Sequence, residues 1–544
     1  MASGRADELT SSDGLRGLPS AGDVAVHDAP RRERTQPRWW WCLVVVGPVL
    51  WMWPRGALWL DEAQSVAIAR SAGGIVDGLR ADGAPPLYYA LLHVWMRVVG
   101  DGDAAVRSLS AVAAAGAVLV TALLVKRLLG ATAAVAAAAI MSVHPFLVRY
   151  ASEARMYTTM CLAAAAILLL ADRTLRGGRR VHVALALTTT AALLTHYWAI
   201  PFVAGGGVLA AAAVVTGRLR SRRDAELAAR RVLLALVVGG VLTAPWWPVA
   251  RFQSQRTGTP WSSPPSALDA VRVLFHRGTG TSWMAVTLTV SAAALILLAI
   301  TDRPARSTAH AAAPAPAEPA GLSVRVIAAH ALLTALLAFV ISRTTSSAFM
   351  PRYTSVLFPS AIVLTCAGWV RLRWAAARAG ALLSLTVLGV VVCVGEIGRE
   401  RTRAEMFATA MARGGLDDGD LVLYCPDQLG PSVDRLLART DVEPVQWVYP
   451  TRGSPERVDW IDYRERHERA SVDGFLDAAA LVARTAASTG IVWLVVSETY
   501  PPTQAGCSAV LDQLVERAEV SEVVIVDDPS WQDHDQLWRF ELSD

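Results

Sequence analysis

Blocks of roughly 17–22 predominantly apolar residues, separated by short polar connections, recur from Trp39 to Gly395. A helix needs about 20 such residues to cross a ~30 Å hydrocarbon core. Inside lipid only helices and closed barrels satisfy every backbone polar group. The residues are rich in Ala, Leu and Val in continuous runs, with 53% hydrophobic and 18% charged over 544 residues. The chain therefore reads as a polytopic α-helical membrane protein. About eleven spans are expected, near 39–59, 104–125, 131–147, 156–172, 181–196, 198–216, 232–249, 283–300, 325–342, 354–370 and 377–396.

Residues 1–38 are polar and charged and lack an apolar core, so a disordered tail is expected there. No cleavable leader pattern is seen, and the run from Trp39 is expected to stay as an anchor. The net charge of +4 says little about partners, because Arg is placed by topology. No basic stretch interleaved with aromatics lies on a polar segment, which argues against nucleic-acid binding.

Lys and Arg accumulate on the cytoplasmic side of membrane proteins. With the N-terminus inside, the inner connections carry Lys126–Arg127, "DRTLRGGRR" (172–180), "GRLRSRRDAELAARR" (217–231), the Pro/Ala-rich linker 303–321 and "RLRWAAAR" (371–378). Every one is basic. The segment 60–103 and the C-terminal part then lie outside. "PPLYYALLHVWMRVVG" (85–100) is apolar, but counting it as a span would invert every later loop, so a juxtamembrane or re-entrant helix is expected.

From about residue 400 the pattern changes. "GDLVLYCPD", "IVWLVVSETY", "SEVVIVDDPS" and "LWRFEL" read as strands, and "PSVDRLLART" and "VDGFLDAAALVARTAAS" as helices. A small soluble α/β domain is expected over 400–544, after a membrane domain over 39–399. It has no Gly-rich phosphate fingerprint, so docking without its own catalysis is the plainer reading. Cys425 and Cys507 are the two cysteines outside the apolar blocks. In an oxidising compartment they are expected to pair, unless strand geometry holds them apart. No cysteine spacing resembles a metal site, so no structural metal is expected.

The polar groups at span ends collect on the outer face. Asp61 and Glu62 follow the first block; "HPFLVRYASEARMY" (144–157), "THYW" (195–198) and "SRTTSSAFMPRYTS" (342–355) join later ones. Each has an ordinary explanation. An acid pair caps a helix, Arg155 and Arg352 can snorkel, Tyr157 and Tyr353 fit an interfacial aromatic belt, and His196 suits a turn. Their coincidence on one face points instead to a site.

In order, "LWLDEAQSVAIAR", "DGAPPLYYALLHVWMRVVG", "AAVRSLSAV", "HPFLVRYASEARMYT", "THYW" and "PRYTSVLFPS" resemble the protein O-mannosyltransferase and aminoarabinose-transferase family. These are polyprenyl-phosphate-sugar-dependent enzymes of the integral-membrane C-type glycosyltransferase superfamily. The resemblance covers roughly residues 40–400. It implies inverting transfer of a sugar, mannose first, from a polyprenyl phosphate to an acceptor hydroxyl of a protein, lipid or polysaccharide. It implies Asp61 as catalytic base with Glu62 in support. Arg352 and Arg155, with Tyr157, His196 and Tyr353, would meet the donor phosphate and sugar, and Asp82 and Glu153 would support them. No cofactor is expected, a divalent cation being left open. A transporter or flippase of lipid-linked sugars, or a non-catalytic lipid-binding scaffold, are the alternatives.

Overall fold

In this computed structural model the described residues are 47–542, except 54, 71–72, 179, 259–261, 263, 277–282, 302–320, 346–348, 398–399, 486–489, 501 and 527–534. The expected N-terminal tail, the start of the first span and the 303–320 linker lie outside the described residues.

After a helical stretch at 47–51 come three short helices: α1 (Leu60–Arg70), α2 (Ile75–Asp82) and α3 (Leu87–Val99). Gly83 ends α2 at φ +86°, a left-handed conformation that glycine takes without steric cost, and its N–H caps Leu79. The turn leads into Pro85–Pro86 and starts α3. At 13 residues α3 is shorter than a crossing needs.

The membrane helices follow: α4 (Asp103–Leu129), α5 (Ala131–Ser142), α6 (Pro145–Ala151), α7 (Tyr157–Leu175), α8 (Val181–Leu193), α9 (Ala199–Leu219) and α10 (Arg223–Val241). After α11 (Trp247–Arg256) and α12 (Ala267–His276) come α13 (Trp283–Thr301), α14 (Val324–Thr344), a 3₁₀ segment at Pro351–Leu357, α15 (Phe358–Arg371) and α16 (Ala375–Ile397). Among the described residues eight helices are long and apolar enough to cross a membrane, with α5 and α6 a further pair bent by 59°. Pro145 at the start of α6 causes the break, because it offers no N–H to continue the α5 ladder. The expected span at 181–196 is the 13-residue α8. Side chains are small where helices meet: a Cβ on Gly368 of α15 would overlap the Leu295 carbonyl of α13, so the two backbones touch.

The basic residues at the far end of α4 and α7 are tied together. Asp172, fully buried, accepts from Arg127 (2.9 Å), Arg176 (3.2 Å) and the Leu322 N–H (2.9 Å).

The C-terminal part is an α/β unit. Five strands, β1 (Leu421–Cys425), β2 (Val445–Val448), β3 (Ile491–Ser497), β4 (Ala518–Ile525) and β5 (Asp535–Leu542), form one sheet in the order β2-β1-β3-β5-β4. β1 runs parallel to β2 and β3, whereas β5 is antiparallel to both β3 and β4. Five helices surround them: α17 (Ala404–Arg413), α18 (Gly430–Leu437), α19 (Tyr463–Glu468), α20 (Val472–Thr485) and α21 (Gln504–Arg517). Every β1 side chain is buried, which is why its sequence is uniformly apolar rather than alternating. β2, only four residues long, carried no strand signal of its own. Cys425 and Cys507 form a disulfide with their Cα atoms 5.4 Å apart.

This unit docks on α1–α4. Gln64 of α1 exchanges hydrogen bonds with the backbone of Val458 (3.0 and 3.4 Å). The Trp460 N–H donates to the Ala81 carbonyl at 3.0 Å. Arg435 donates to Asp103 at the start of α4 (2.9 Å), and Arg256 clasps Asp462 (2.8 Å).

Candidate active site

The two acids that open α1 face different surroundings. Glu62 is completely buried. Arg107 of α4 grips it with both arms, Nε to Oε1 at 2.8 Å and Nη2 to Oε2 at 2.7 Å, and the Ala154 N–H adds a third bond at 2.8 Å. Arg107 spends its remaining donors on the Gly56 and Ala57 carbonyls. A buried charge pair persists only when its lone pairs and protons are met in this way. Both Glu62 oxygens are used, so this side chain fixes α1, α4 and the 152–156 turn in register and has no oxygen left for a substrate.

Asp61 is 21% exposed, and its Oδ2 lies 3.7 Å from Nη2 of Arg155. Arg155 is itself fixed: Nη1 donates to Ser65 Oγ (3.0 Å), Tyr89 Oη (3.3 Å) and the Asp61 carbonyl (3.3 Å). Tyr89 in turn donates to Asp82 (2.8 Å), which also accepts from Gln64 (2.6 Å). Asp82 thus stands behind Tyr89 and does not reach Arg155 directly. Burial is the main cause that raises its carboxyl above the usual range, with the charge of Arg155 opposing.

The remaining residues named from the sequence do come together. The Arg155 guanidinium sits 6.0 Å from the Tyr157 ring centre, Tyr157 is 6.1 Å from His196, and His196 is 5.0 Å from Tyr353. Arg352 lies 5.4 Å from the Tyr353 ring centre. Asp61, Arg155, Tyr157, His196, Tyr353 and Arg352 therefore form one continuous cluster from four separate connections. Three of its polar atoms, Arg155 Nε, Tyr157 Oη and Arg352 Nε, are buried with no hydrogen-bond partner among the described residues. Buried orphan donors are uncommon and ask for a missing partner.

Burial, followed by the nearby Arg155 and Arg352 charges, pushes the His196 imidazole down to about 3. The ring is neutral at physiological pH. Its Nδ1 accepts from the Trp198 N–H at 3.1 Å, which assigns the proton to Nε2. His196 is thus a hydrogen-bond donor here rather than a base.

Glu153 lies on the other side of the 152–156 turn. It pairs with Arg401 and stands 3.7 Å from Arg149. Burial raises this carboxyl while the two arginines oppose the shift. Its link to Arg401 ties the turn to the segment entering the C-terminal unit. Among the described residues no three His, Cys, Asp or Glu side chains are grouped to hold a metal ion.

A largely apolar cavity of about 560 Å³ lies between α13, α14 and α15. His144, Leu288, Ile296, Leu357 and Phe358 help line it. Leu357 closes the same 3₁₀ segment that begins with Pro351 and Arg352.

Arg107, Tyr89, Gln64 and Arg401 were not singled out from the sequence. Arg107 carried a usable signal: an arginine inside an otherwise apolar membrane run requires a buried partner. Arg401 carried none, because it is one of many arginines near a span end.

ArnT from Cupriavidus metallidurans in the apo state superposes with a TM-score of 0.59 at 15% identity, over 92% of this chain and 97% of that one. The same protein bound to undecaprenyl phosphate gives 0.55 at 15% identity, over 92% and 98%. The chain shares their fold, membrane helices and C-terminal unit included. Its residues 83–248, from the α2–α3 turn to the start of α11, match the dolichyl-phosphate-mannose-protein mannosyltransferase family. No curated protein matches the chain's sequence.

Proposed function

We propose that the chain transfers a sugar, mannose first, from a polyprenyl-phosphate donor to an acceptor hydroxyl on the outer face of the cell membrane, with inversion at the anomeric carbon. One observation carries the reading: a partly exposed carboxylate, Asp61, stands in a single cluster with two arginines and a donor imidazole, and the 3₁₀ segment that carries Arg352 ends on Leu357 in the wall of an apolar cavity. The family match over 83–248 and the undecaprenyl phosphate bound by ArnT support the donor class.

The parts divide by chemistry. The apolar cavity suits a polyprenyl tail, which cannot leave the bilayer. The donor phosphate lies against Arg352, whose planar fork matches phosphate oxygens, with Arg155 and the His196 Nε2–H in support. Tyr157 and Tyr353 flank the sugar. As the acceptor oxygen attacks the anomeric carbon, its proton passes to Asp61. The carbon–oxygen bond to phosphate breaks, and polyprenyl phosphate leaves with the electron pair on the face opposite the attack. The developing phosphate charge falls on the arginines. Glu62, Arg107, Asp82 and Glu153 hold these groups in place.

The test uses the full-length protein in lipid nanodiscs with polyprenyl-phosphate [¹⁴C]mannose and a cell-envelope extract. Label should pass to the extract, and Asp61→Asn should lower the rate by about 10²–10⁴-fold while donor is still bound. Donor carried across the bilayer without transfer would replace this reading with a transporter. A periplasm-active reporter fused after Asp544 should be active, and a cytoplasm-active one silent.

A further inference from the structure

A second, smaller cavity of about 220 Å³ lies where the start of α1 meets the C-terminal unit. Trp59 and Leu60 form one wall, and Gln428, Ser432, Thr499 and Tyr500 belong to the other. We infer that the C-terminal unit supplies the acceptor subsite of the transferase and that this subsite takes an uncharged saccharide. The inference rests on the reading of the chain as a lipid-linked-sugar transferase.

Its place in the fold is the first ground. From β1 the chain crosses to β2 on one side, while β3 lies parallel to β1 on the other. The cavity touches Pro426, just past the end of β1, and Ser497, the end of β3. It therefore sits beyond the carboxyl ends of two parallel strands where the strand order reverses, the place where open α/β sheets bind ligands. This answers what the unit does without a phosphate fingerprint.

The second ground is adjacency. Leu60, in the cavity wall, is the residue before Asp61. The cavity wall and the proposed base are thus consecutive residues of one helix, with Cα atoms about 3.8 Å apart.

The lining supplies the chemistry. Hydroxyl, amide and phenol groups both donate and accept, as a sugar hydroxyl does. Trp59 and Tyr500 add amphipathic ring faces. Trp59 Nε1 is buried without a hydrogen-bond partner among the described residues. The one cation among the described lining residues, Arg401, is committed to Glu153 and the Arg149 carbonyl, and Asp535 adds negative charge. An anionic headgroup would find no counter-charge. The volume also falls below the ~300–1,000 Å³ of pockets that enclose a drug-sized ligand, a size for one or two sugar rings.

The test uses full-length protein in nanodiscs with saturating polyprenyl-phosphate mannose or arabinose. Slow donor hydrolysis by water is measured first, before any acceptor is added. The acceptors are a panel of neutral tetrasaccharides of mannose, arabinose, glucose and galactose, a Ser/Thr-rich peptide, and lipid A as the anionic glycolipid. A neutral tetrasaccharide should be glycosylated. Gln428→Ala combined with Thr499→Val should raise its KM about 5- to 150-fold, the loss of two hydrogen bonds, with kcat and donor hydrolysis nearly unchanged. Thr499→Ser should keep the wild-type KM, and the thermal midpoint of each variant checks the fold. Transfer only to the peptide or lipid A, or a KM that ignores both substitutions, overturns the inference and leaves the transferase reading standing. A wild-type protein that neither binds nor hydrolyses donor overturns the transferase reading, and the inference with it.

Discussion

Arg107 closes on Glu62 through two parallel bonds of 2.8 and 2.7 Å, in a pocket from which water is excluded, while the adjoining Asp61 keeps part of its carboxylate open 3.7 Å from Arg155. Consecutive residues on a helix point about 100° apart, which lets one acid be structural and its neighbour face the site. The two should therefore fail differently.

Glu62→Gln removes one charge of a buried pair and strands the guanidinium, which costs about 3–5 kcal/mol. The thermal midpoint and the activity should fall together. Replacing both partners, Glu62→Leu with Arg107→Leu, should destabilise less than the single change. Asp61→Asn should leave the midpoint in place and lower only the transfer rate. Equal midpoints for Glu62→Gln and wild type would overturn the structural role of Glu62.

Arg352→Ala should weaken donor binding by at least tenfold, about 1.4 kcal/mol or more, because a charge-assisted phosphate contact is worth about 1.5–3 kcal/mol. Arg352→Lys keeps the charge and loses the fork, so it should fall between wild type and Ala. Equilibrium binding of a fluorescent polyprenyl phosphate measures both. Unchanged affinity in the Ala variant would leave Arg352 an interfacial, snorkelling residue.

Cys425 and Cys507 are 82 residues apart, and closing so long a loop stabilises by about 3–5 kcal/mol in the chain-entropy picture. Thiol labelling of denatured, unreduced protein should modify neither. Cys425→Ser with Cys507→Ser should lower the unfolding temperature of the C-terminal unit and leave the membrane helices intact.

Asp427, at the end of β1, is buried, and that burial raises its carboxyl to about 7 against the help of Tyr463 (2.6 Å) and Arg466 (3.9 Å). A folded-state value above the unfolded one favours the protonated form. The stability it contributes is complete below about pH 4 and is lost as pH rises through 7. The C-terminal unit should melt at lower temperature at pH 8 than at pH 6. Asp427→Asn should flatten that dependence. A slope that persists in the Asn variant would place its origin elsewhere.

Much of this was legible in the sequence, for identifiable reasons. Twenty-residue apolar blocks and basic connections are statements about lipid and charge, so the spans and their order followed. The meeting of Arg155, Tyr157, His196 and Arg352 followed from depth alone, since all four sit at helix ends on one face. What depth could not supply was pairing across the bundle. Nothing in "AAVRSLSAV" says that Arg107 reaches Glu62, 45 residues away. Nor does the sequence show that Asp82 acts through Tyr89. The four-residue β2 escaped notice because its alternation is too short to read.

Gln64 lies three residues past Asp61 on α1, and its amide is bonded at both ends to the backbone of Val458. Mechanically, the base and that loop of the C-terminal unit are one part. Glu62 of the same helix is held by Arg107 and Ser65 accepts from Arg155, so the loop, α4 and the 152–156 turn all converge on the helix that carries the carboxylate, and its position is set jointly from the water-exposed side and from the membrane boundary.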